Sequence, residues 1–161
     1  MKRKPPSNEI VIIAPDAAAG ELTDLLSHLN YDATAARTSR HALILLRQRP
    51  SAIVLIDVDA PDEQGPALLR AIRSGAPHNP VICISGRPTI AEAASYLEQG
   101  AYDVVAKPLA TEHFDRLLRH ALHQKALRDE LQRRKRRNLM VALTLPLWAL
   151  LGYGLMLLVQ R

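Results

Sequence analysis

Short apolar runs alternate with longer, helically patterned stretches through residues 8–121. Four β-branched runs and one weaker run predict five strands, at Ile10–Ile13, Tyr31–Ala35, Ala52–Ile56, Val81–Ile84 and Tyr102–Val105. Between them leucines recur every three or four residues, as they do from Leu22 to Leu29, which is the spacing of an amphipathic helix. The strands are almost entirely apolar, so we expect a sheet that is covered by helices on both faces.

Local signals for the ends of helices agree with this division. Thr89 and Glu92 have the spacing of a capping box, and Gly100 is placed to end the same helix. Thr111 is placed to begin the last helix. Strands that alternate with helices pair in parallel, because each helix crosses back over the sheet. The pattern therefore predicts an α/β fold with a parallel five-stranded sheet.

Charge is divided unevenly along the chain. The formal net charge is +5, yet residues 8–121 contain 10 Lys and Arg against 14 Asp and Glu, while the remainder contains 11 against 2. A mildly acidic body with basic ends argues against a nucleic-acid surface spread over the fold, so no nucleic-acid partner is expected. Cys83 is the single cysteine, which excludes a disulfide within the chain.

The carboxyl ends of the predicted strands carry the chemistry. In a doubly wound parallel sheet the functional crevice lies at this edge. Three strands lead into reactive groups there: a carboxylate at Asp57, a hydroxyl at Ser85 and an ammonium at Lys107. The first strand ends instead in Ala14 and Pro15, whose side chains can neither bind a metal nor transfer a proton.

These motifs resemble the receiver domain of bacterial two-component response regulators, over residues 8–121. The matching segments are "IVLIDVDAPDEQG", "ICISG" and "VVAKPL", and the residues that carry the match are Asp57, Pro61, Gly65, Ser85, Gly86, Lys107 and Pro108. The resemblance implies a flavodoxin-like, doubly wound five-stranded sheet. It also implies that Asp57 is the phospho-acceptor and that Ser85, Gly86 and Lys107 stabilise the phosphoryl group.

The family's magnesium site is where this chain departs from the pattern. Family members hold the ion with the acceptor Asp, a backbone carbonyl two residues later (here Asp59) and acids at the end of the first strand, where this chain has Ala14 and Pro15. Asp16 is one place late: it either replaces the lost acids or is a surface acid of the turn. With fewer carboxylates around Asp57, an ion pair between Asp57 and Lys107 is expected to close without metal.

The family's switch residue is also altered. Receivers usually carry Tyr or Phe three residues before the lysine, and its rotation reports phosphorylation to the surface. Val104 stands at this place and has no ring, and its χ1 angle is restricted. The resemblance therefore implies that both the phosphorylation chemistry and the relay are weakened.

The C-terminal residues predict a membrane anchor. A long last helix is expected to run through a basic linker, residues 122–138, into Leu139–Val159, an uncharged stretch of 21 residues. As a helix it would be about 31 Å long, which matches a bilayer core. A buried helix of a soluble protein is the alternative. Five cations precede the stretch and are predicted to stay in the cytoplasm and bind anionic lipid headgroups: Arg133, Arg134, Lys135, Arg136 and Arg137.

The expected organisation is a basic N-terminus (1–7), the receiver-like domain (8–121), the linker (122–138), the transmembrane helix (139–159) and a short tail (160–161). We interpret the chain as a non-enzymatic pseudo-receiver that is tail-anchored in the bacterial inner membrane and binds a protein partner, with a dimer left open. The first alternative is a magnesium-dependent phosphoacceptor that a histidine kinase phosphorylates on Asp57. The second is a small subunit of a membrane complex, whose transmembrane helix is the functional part.

Overall fold

The computed structural model of the chain describes residues 8–49, 52–60 and 65–131. Helices and strands alternate as the sequence predicts, and each strand lies within one residue of its predicted bounds. The elements are β1 Glu9–Ile13, α1 Asp16–His28, β2 Asp32–Ala36, α2 Ser39–Gln48, β3 Ile53–Asp57, α3 Gly65–Gly75, β4 Val81–Ser85, α4 Ile90–Glu98 and β5 Asp103–Ala106, followed by α5, which is described over residues 111–131.

The five strands form one parallel sheet in the order β2-β1-β3-β4-β5. The order reverses direction beside β1, as in a doubly wound fold, so the predicted flavodoxin-like architecture is confirmed. Every residue of β3 and β4 is buried, which explains why these strands are apolar up to their last residues, Asp57 and Ser85. The parallel register brings both polar ends to the same edge of the sheet.

A separate apolar layer covers each face of the sheet. On one face α1 and α5 contribute Leu26, Phe114 and Leu118, which are fully buried against β1, β3 and β4. On the other face α2 and α3 contribute Leu46 and Leu69. The chain contains few aromatic residues. Both layers accordingly consist mainly of closely packed Ile, Val, Leu and Ala.

Helix α4 is held at its ends more than along its length. The predicted capping box is confirmed: Thr89 Oγ1 accepts from the Glu92 backbone, and the Glu92 carboxylate accepts from the Thr89 backbone. Gly100, predicted to end the helix, has a φ of 96°, a conformation that favours glycine. No residue of α4 is fully buried, so its outer face is available to solvent.

The chain divides into two compact units, Met1–Ala126 and Leu127–Arg161. Of the second unit the structure describes residues 127–131, which are helical. Over the ranges that the structure describes, no helix has both the length and the apolar character needed to cross a membrane. The predicted span Leu139–Val159 and the basic cluster at 133–137 lie outside these ranges, so both stay predictions.

Candidate functional site

Asp57 is the buried centre of the polar edge. It is the last residue of β3 and only 3% exposed, because β1 and β4 flank its strand. Its Oδ2 lies 2.8 Å from Lys107 Nζ, and its Oδ1 accepts from the backbone N of Asp59 at 3.2 Å. Both oxygens of this buried carboxylate therefore have protein donors, as burial of a charge requires.

Lys107 is positioned by the sheet itself. It follows β5, and its backbone N donates to the Ser85 carbonyl at 2.8 Å, which extends the β4–β5 ladder by one residue. The following peptide bond, Lys107–Pro108, is cis. From this anchored backbone the side chain reaches Asp57, and its ammonium is partly exposed. The ion pair expected from the sequence is present.

The other donors at the edge are directed to Asp59 instead of Asp57. Ser85 Oγ donates to Asp59 Oδ1 at 3.0 Å, and the Gly86 backbone N donates to Asp59 Oδ2 at 2.5 Å. Lys107 Nζ lies 3.8 Å from the same Oδ2. The family resemblance points to the backbone carbonyl of Asp59. No sequence pattern indicates that the Asp59 carboxylate accepts hydrogen bonds from Ser85 and Gly86.

The end of β1 is chemically separate from this cluster. Ala14 is buried in the apolar layer, and Pro15 is the N-cap of α1 without a side-chain cap hydrogen bond. Asp16 accepts two hydrogen bonds from Arg37, at 2.9 and 2.7 Å, in an ion pair whose partners are both more than 70% exposed. A pocket of about 200 Å³ beside these residues is lined mainly by apolar side chains, among them Ile13, Ala60 and Leu68.

The residues that the structure describes at this edge do not fit a magnesium site. Magnesium needs near-octahedral oxygen ligands, several of them usually waters. Asp57 and Asp59 each have both oxygens engaged by protein donors, and Asp16 is bound to Arg37. Within the described ranges no cluster of three His, Cys, Asp or Glu residues could hold a metal ion. The acids at this edge instead accept hydrogen bonds from protein donors.

At the switch position, Val104 is half-buried and packs in the same apolar layer as Val58 and Tyr96. Tyr96 comes from α4, and its hydroxyl lies against Gly65, where an added Cβ would be only 2.7 Å away. Burial raises the pKa of Tyr96, and neighbouring negative charges, including those of Glu92 and Asp59, raise it further. An aromatic ring therefore packs in the same layer as Val104, but it comes from α4 and not from β5. The sequence signal was its position as the single aromatic residue of that helix.

The model of the response regulator receiver domain matches residues 11–119 of this sequence. The chain belongs to this family. Response regulator protein FleR of Pseudomonas aeruginosa is 31% identical over 118 residues, which are 72% of this chain and 25% of that protein. The receiver thus spans about a quarter of the length of this relative.

Solved receiver structures agree in fold. The receiver domain of an HD domain-containing protein from Pseudomonas fluorescens Pf-5 has a TM-score of 0.70 at 27% identity, over 81% of this chain and 97% of that one. The beryllofluoride-activated NtrC4 receiver domain dimer has a TM-score of 0.65 at 24% identity, over 73% of this chain and 98% of that one. The three-layer architecture is therefore that of receivers.

Proposed function

We propose that this receiver is a phosphorylation-independent signalling module, a pseudo-receiver, which acts by binding a protein partner. The observation that supports it best is the satisfied network at the edge of the sheet. Asp57 and Asp59 receive hydrogen bonds from a lysine, a hydroxyl and two backbone amides. The places where the family has metal-holding acids are occupied by Ala14 and Pro15.

The chemistry of phosphoryl transfer explains why these features matter together. Charge that develops on the phosphoryl oxygens must be neutralised by cations and donors that are free to meet it. Here Lys107 is paired with Asp57, and the hydrogen bonds of Ser85 and Gly86 are directed to Asp59. A phosphoryl group would have to displace these contacts without the help of a resident metal. The proposed output is therefore binding, as is general for the non-enzymatic signalling modules of this family.

The face formed by α4, β5 and α5 is the proposed docking surface, as the family resemblance suggests. Helix α4 buries no residue completely, and Ile90 and Leu97 on this helix are 92% and 47% exposed. Exposed large apolar side chains on one short helix are typical of surfaces that bind other proteins. The candidate partners are a histidine kinase or a subunit of a membrane complex, and a second copy of the chain remains an alternative.

A phosphorylation assay tests the central claim. The full-length chain is incubated with acetyl phosphate and magnesium and then analysed for an acid-stable, base-labile adduct, with Asp57→Ala as the control. We expect no adduct that depends on Asp57, and we expect partner capture by Asp57→Ala to equal that of the unmodified chain. An adduct that Asp57→Ala abolishes, together with partner binding that requires it, would overturn the proposal.

Membrane anchoring is the second part of the proposal. It is supported by the uncharged stretch Leu139–Val159, which directly follows five cations at 133–137. We propose that the receiver lies on the cytoplasmic side of the bacterial inner membrane, because cations beside a span stay in the cytoplasm. Deletion of residues 139–161 is expected to move the protein from the membrane pellet to the supernatant. A truncated protein that still sediments with membranes contradicts the anchor.

The alternative function is that of a magnesium-dependent phosphoacceptor, and a specific observation favours it. Asp57, Ser85 and Lys107 lie at one edge, as in a receiver that accepts phosphate. An Asp57 oxygen would form the new bond to phosphorus while the bond from phosphorus to the kinase histidine nitrogen breaks, and the imidazole leaves with the electron pair and takes up a proton. The assay above separates the two functions directly.

A further inference from the structure

The side chain of Asp59 lies where three donors from different segments converge. Ser85 Oγ comes from the end of β4, the Gly86 N–H from the following turn, and Lys107 Nζ from the residue after β5. The distances to the carboxylate are 3.0, 2.5 and 3.8 Å. A hydroxyl, a backbone amide and an ammonium directed to one point form a site for a small oxyanion, and here a carboxylate of the same chain fills it.

Both charge and local shape favour this position of the Asp59 carboxylate. Two carboxylates, Asp57 and Asp59, lie within 4 Å of one ammonium, so their mutual repulsion must be offset by the donors from Ser85 and Gly86. Glycine at position 86 also favours the close approach, because a Cβ there would lie in tight contact, 3.3 Å from Asp59 Oδ2. The Asp59 side chain is 46% exposed, so it borders solvent while it makes these contacts. The hydrogen bonds themselves hold it.

We propose that the Asp59 carboxylate is an internal ligand of this oxyanion site and competes there with phosphate-like anions. The inference deepens the proposed function, on which it rests, because it names the group that closes the site. While Asp59 accepts from Ser85 and Gly86, these two donors are not available to a tetrahedral oxyanion next to Asp57. Rotation of this one side chain frees Ser85 and Gly86 and removes the second carboxylate from Lys107, whereas the Asp57–Lys107 ion pair is retained.

A titration with inorganic phosphate in the presence of a metal chelator tests the competition. The backbone amide resonance of Gly86 is followed by NMR in the full-length chain, because this amide is the closest donor to the carboxylate. Asp59→Ala removes the internal ligand, Asp59→Asn keeps its size without the charge, and Asp24→Ala removes one exposed acid from α1 as a charge-matched control. Sodium chloride at equal ionic strength controls for screening.

We expect Asp59→Ala to bind phosphate about tenfold or more tightly than the unmodified chain, since the lost competitor makes charge-assisted hydrogen bonds. Asp59→Asn is expected to lie between the two, and Asp24→Ala to match the unmodified chain. Equal affinities for Asp59→Ala and the unmodified chain would overturn the inference, as would a Gly86 resonance in Asp59→Ala that phosphate does not shift.

The outcomes also separate the inference from the function on which it rests. If Asp59→Ala gains no affinity while Asp57→Ala keeps full partner binding, the internal ligand is wrong and the pseudo-receiver proposal stands. If Asp59→Ala gains affinity while partner binding requires phosphorylated Asp57, Asp59 is a competitor within a working phosphoacceptor. The two experiments therefore fail independently.

Discussion

Two parts of one sheet edge differ sharply in this receiver. At the ends of β3, β4 and β5, buried and half-buried polar groups form a network of short hydrogen bonds around Asp57 and Asp59. At the end of β1, Ala14 lies in the apolar layer, and the nearest acid, Asp16, forms an exposed pair with Arg37. Both parts contain an ion pair, but only the Asp57–Lys107 pair has a buried partner, Asp57.

The contrast divides the edge into two halves, a polar half at the ends of β3–β5 and a half at the end of β1, where the family resemblance would put metal-holding acids. The first is carried by β3–β5, whose register brings Asp57 beside Ile84 and Ser85 beside Ala106. The second depends on two residues at the end of β1, and their replacement by Ala14 and Pro15 leaves the pairing of β1 with β2 and β3 complete. The sheet therefore forms without acids at this place.

The largest effect is expected when an acid is returned to the end of β1. Ala14→Asp places a carboxylate at a site that is 6% exposed, which should lower the free energy of unfolding by about 2 kcal/mol without metal. Added magnesium should restore part of this loss, because the family resemblance puts the metal-holding acids at this place. Chemical denaturation with and without magnesium measures both effects.

Ala14→Asn is the matched control for this change. It introduces a polar group of the same shape without the charge, so it should be destabilised without a comparable response to magnesium. If magnesium stabilises the unmodified chain as much as it stabilises the Ala14→Asp variant, an acid at the end of β1 is not needed for magnesium binding. The division of the edge into two halves would then be wrong.

The next effect concerns the shielded ion pair. Lys107→Ala leaves the buried Asp57 carboxylate without its cation, and we expect the free energy of unfolding to fall by about 1–2 kcal/mol, less than for a fully buried pair because the lysine is 37% exposed. Asp57→Asn combined with Lys107→Ala removes the stranded charge and should recover most of the loss. A double-mutant cycle by urea denaturation measures the coupling, and a coupling near zero would contradict the proposed network.

The sequence predicts the fold well because strand and helix signals are local. Apolar runs locate all five strands within one residue, and Thr89, Glu92 and Gly100 locate the ends of α4. The closeness of Lys107 to Asp57 also follows from the sequence, since the carboxyl ends of parallel strands meet at one edge of the sheet. The orientation of Asp59 does not, because it depends on the rotation of one loop side chain between water and three donors. The pairing of Asp16 with Arg37 is not predictable from the sequence either, since it joins the first residue of α1 to the residue after β2.

A smaller, pH-dependent effect distinguishes the two helix starts at this edge. Hydrogen bonds from Thr89 lower the pKa of Glu92, whereas α1 begins at Pro15 without a side-chain cap. A lowered carboxyl pKa means that this stabilisation is complete above the unfolded-state pKa and is lost as the pH falls through the folded-state value. Glu92→Gln should therefore flatten the acid limb of the stability profile. Glu98→Gln, at the other end of α4, is the control, and an equal flattening there would contradict the assignment to the cap.

The smallest effect is expected for the exposed pair at the end of β1. Asp16→Ala removes two hydrogen bonds to Arg37, but both side chains are more than 70% exposed, so the free energy of unfolding should change by less than about 0.5 kcal/mol. Its response to magnesium should equal that of the unmodified chain, in titrations followed by chemical denaturation. Loss of a magnesium response in Asp16→Ala would show that Asp16 leaves Arg37 to bind the ion. The two halves of the edge would then be joined through this residue, and the phosphoacceptor function would become the better account of the chain.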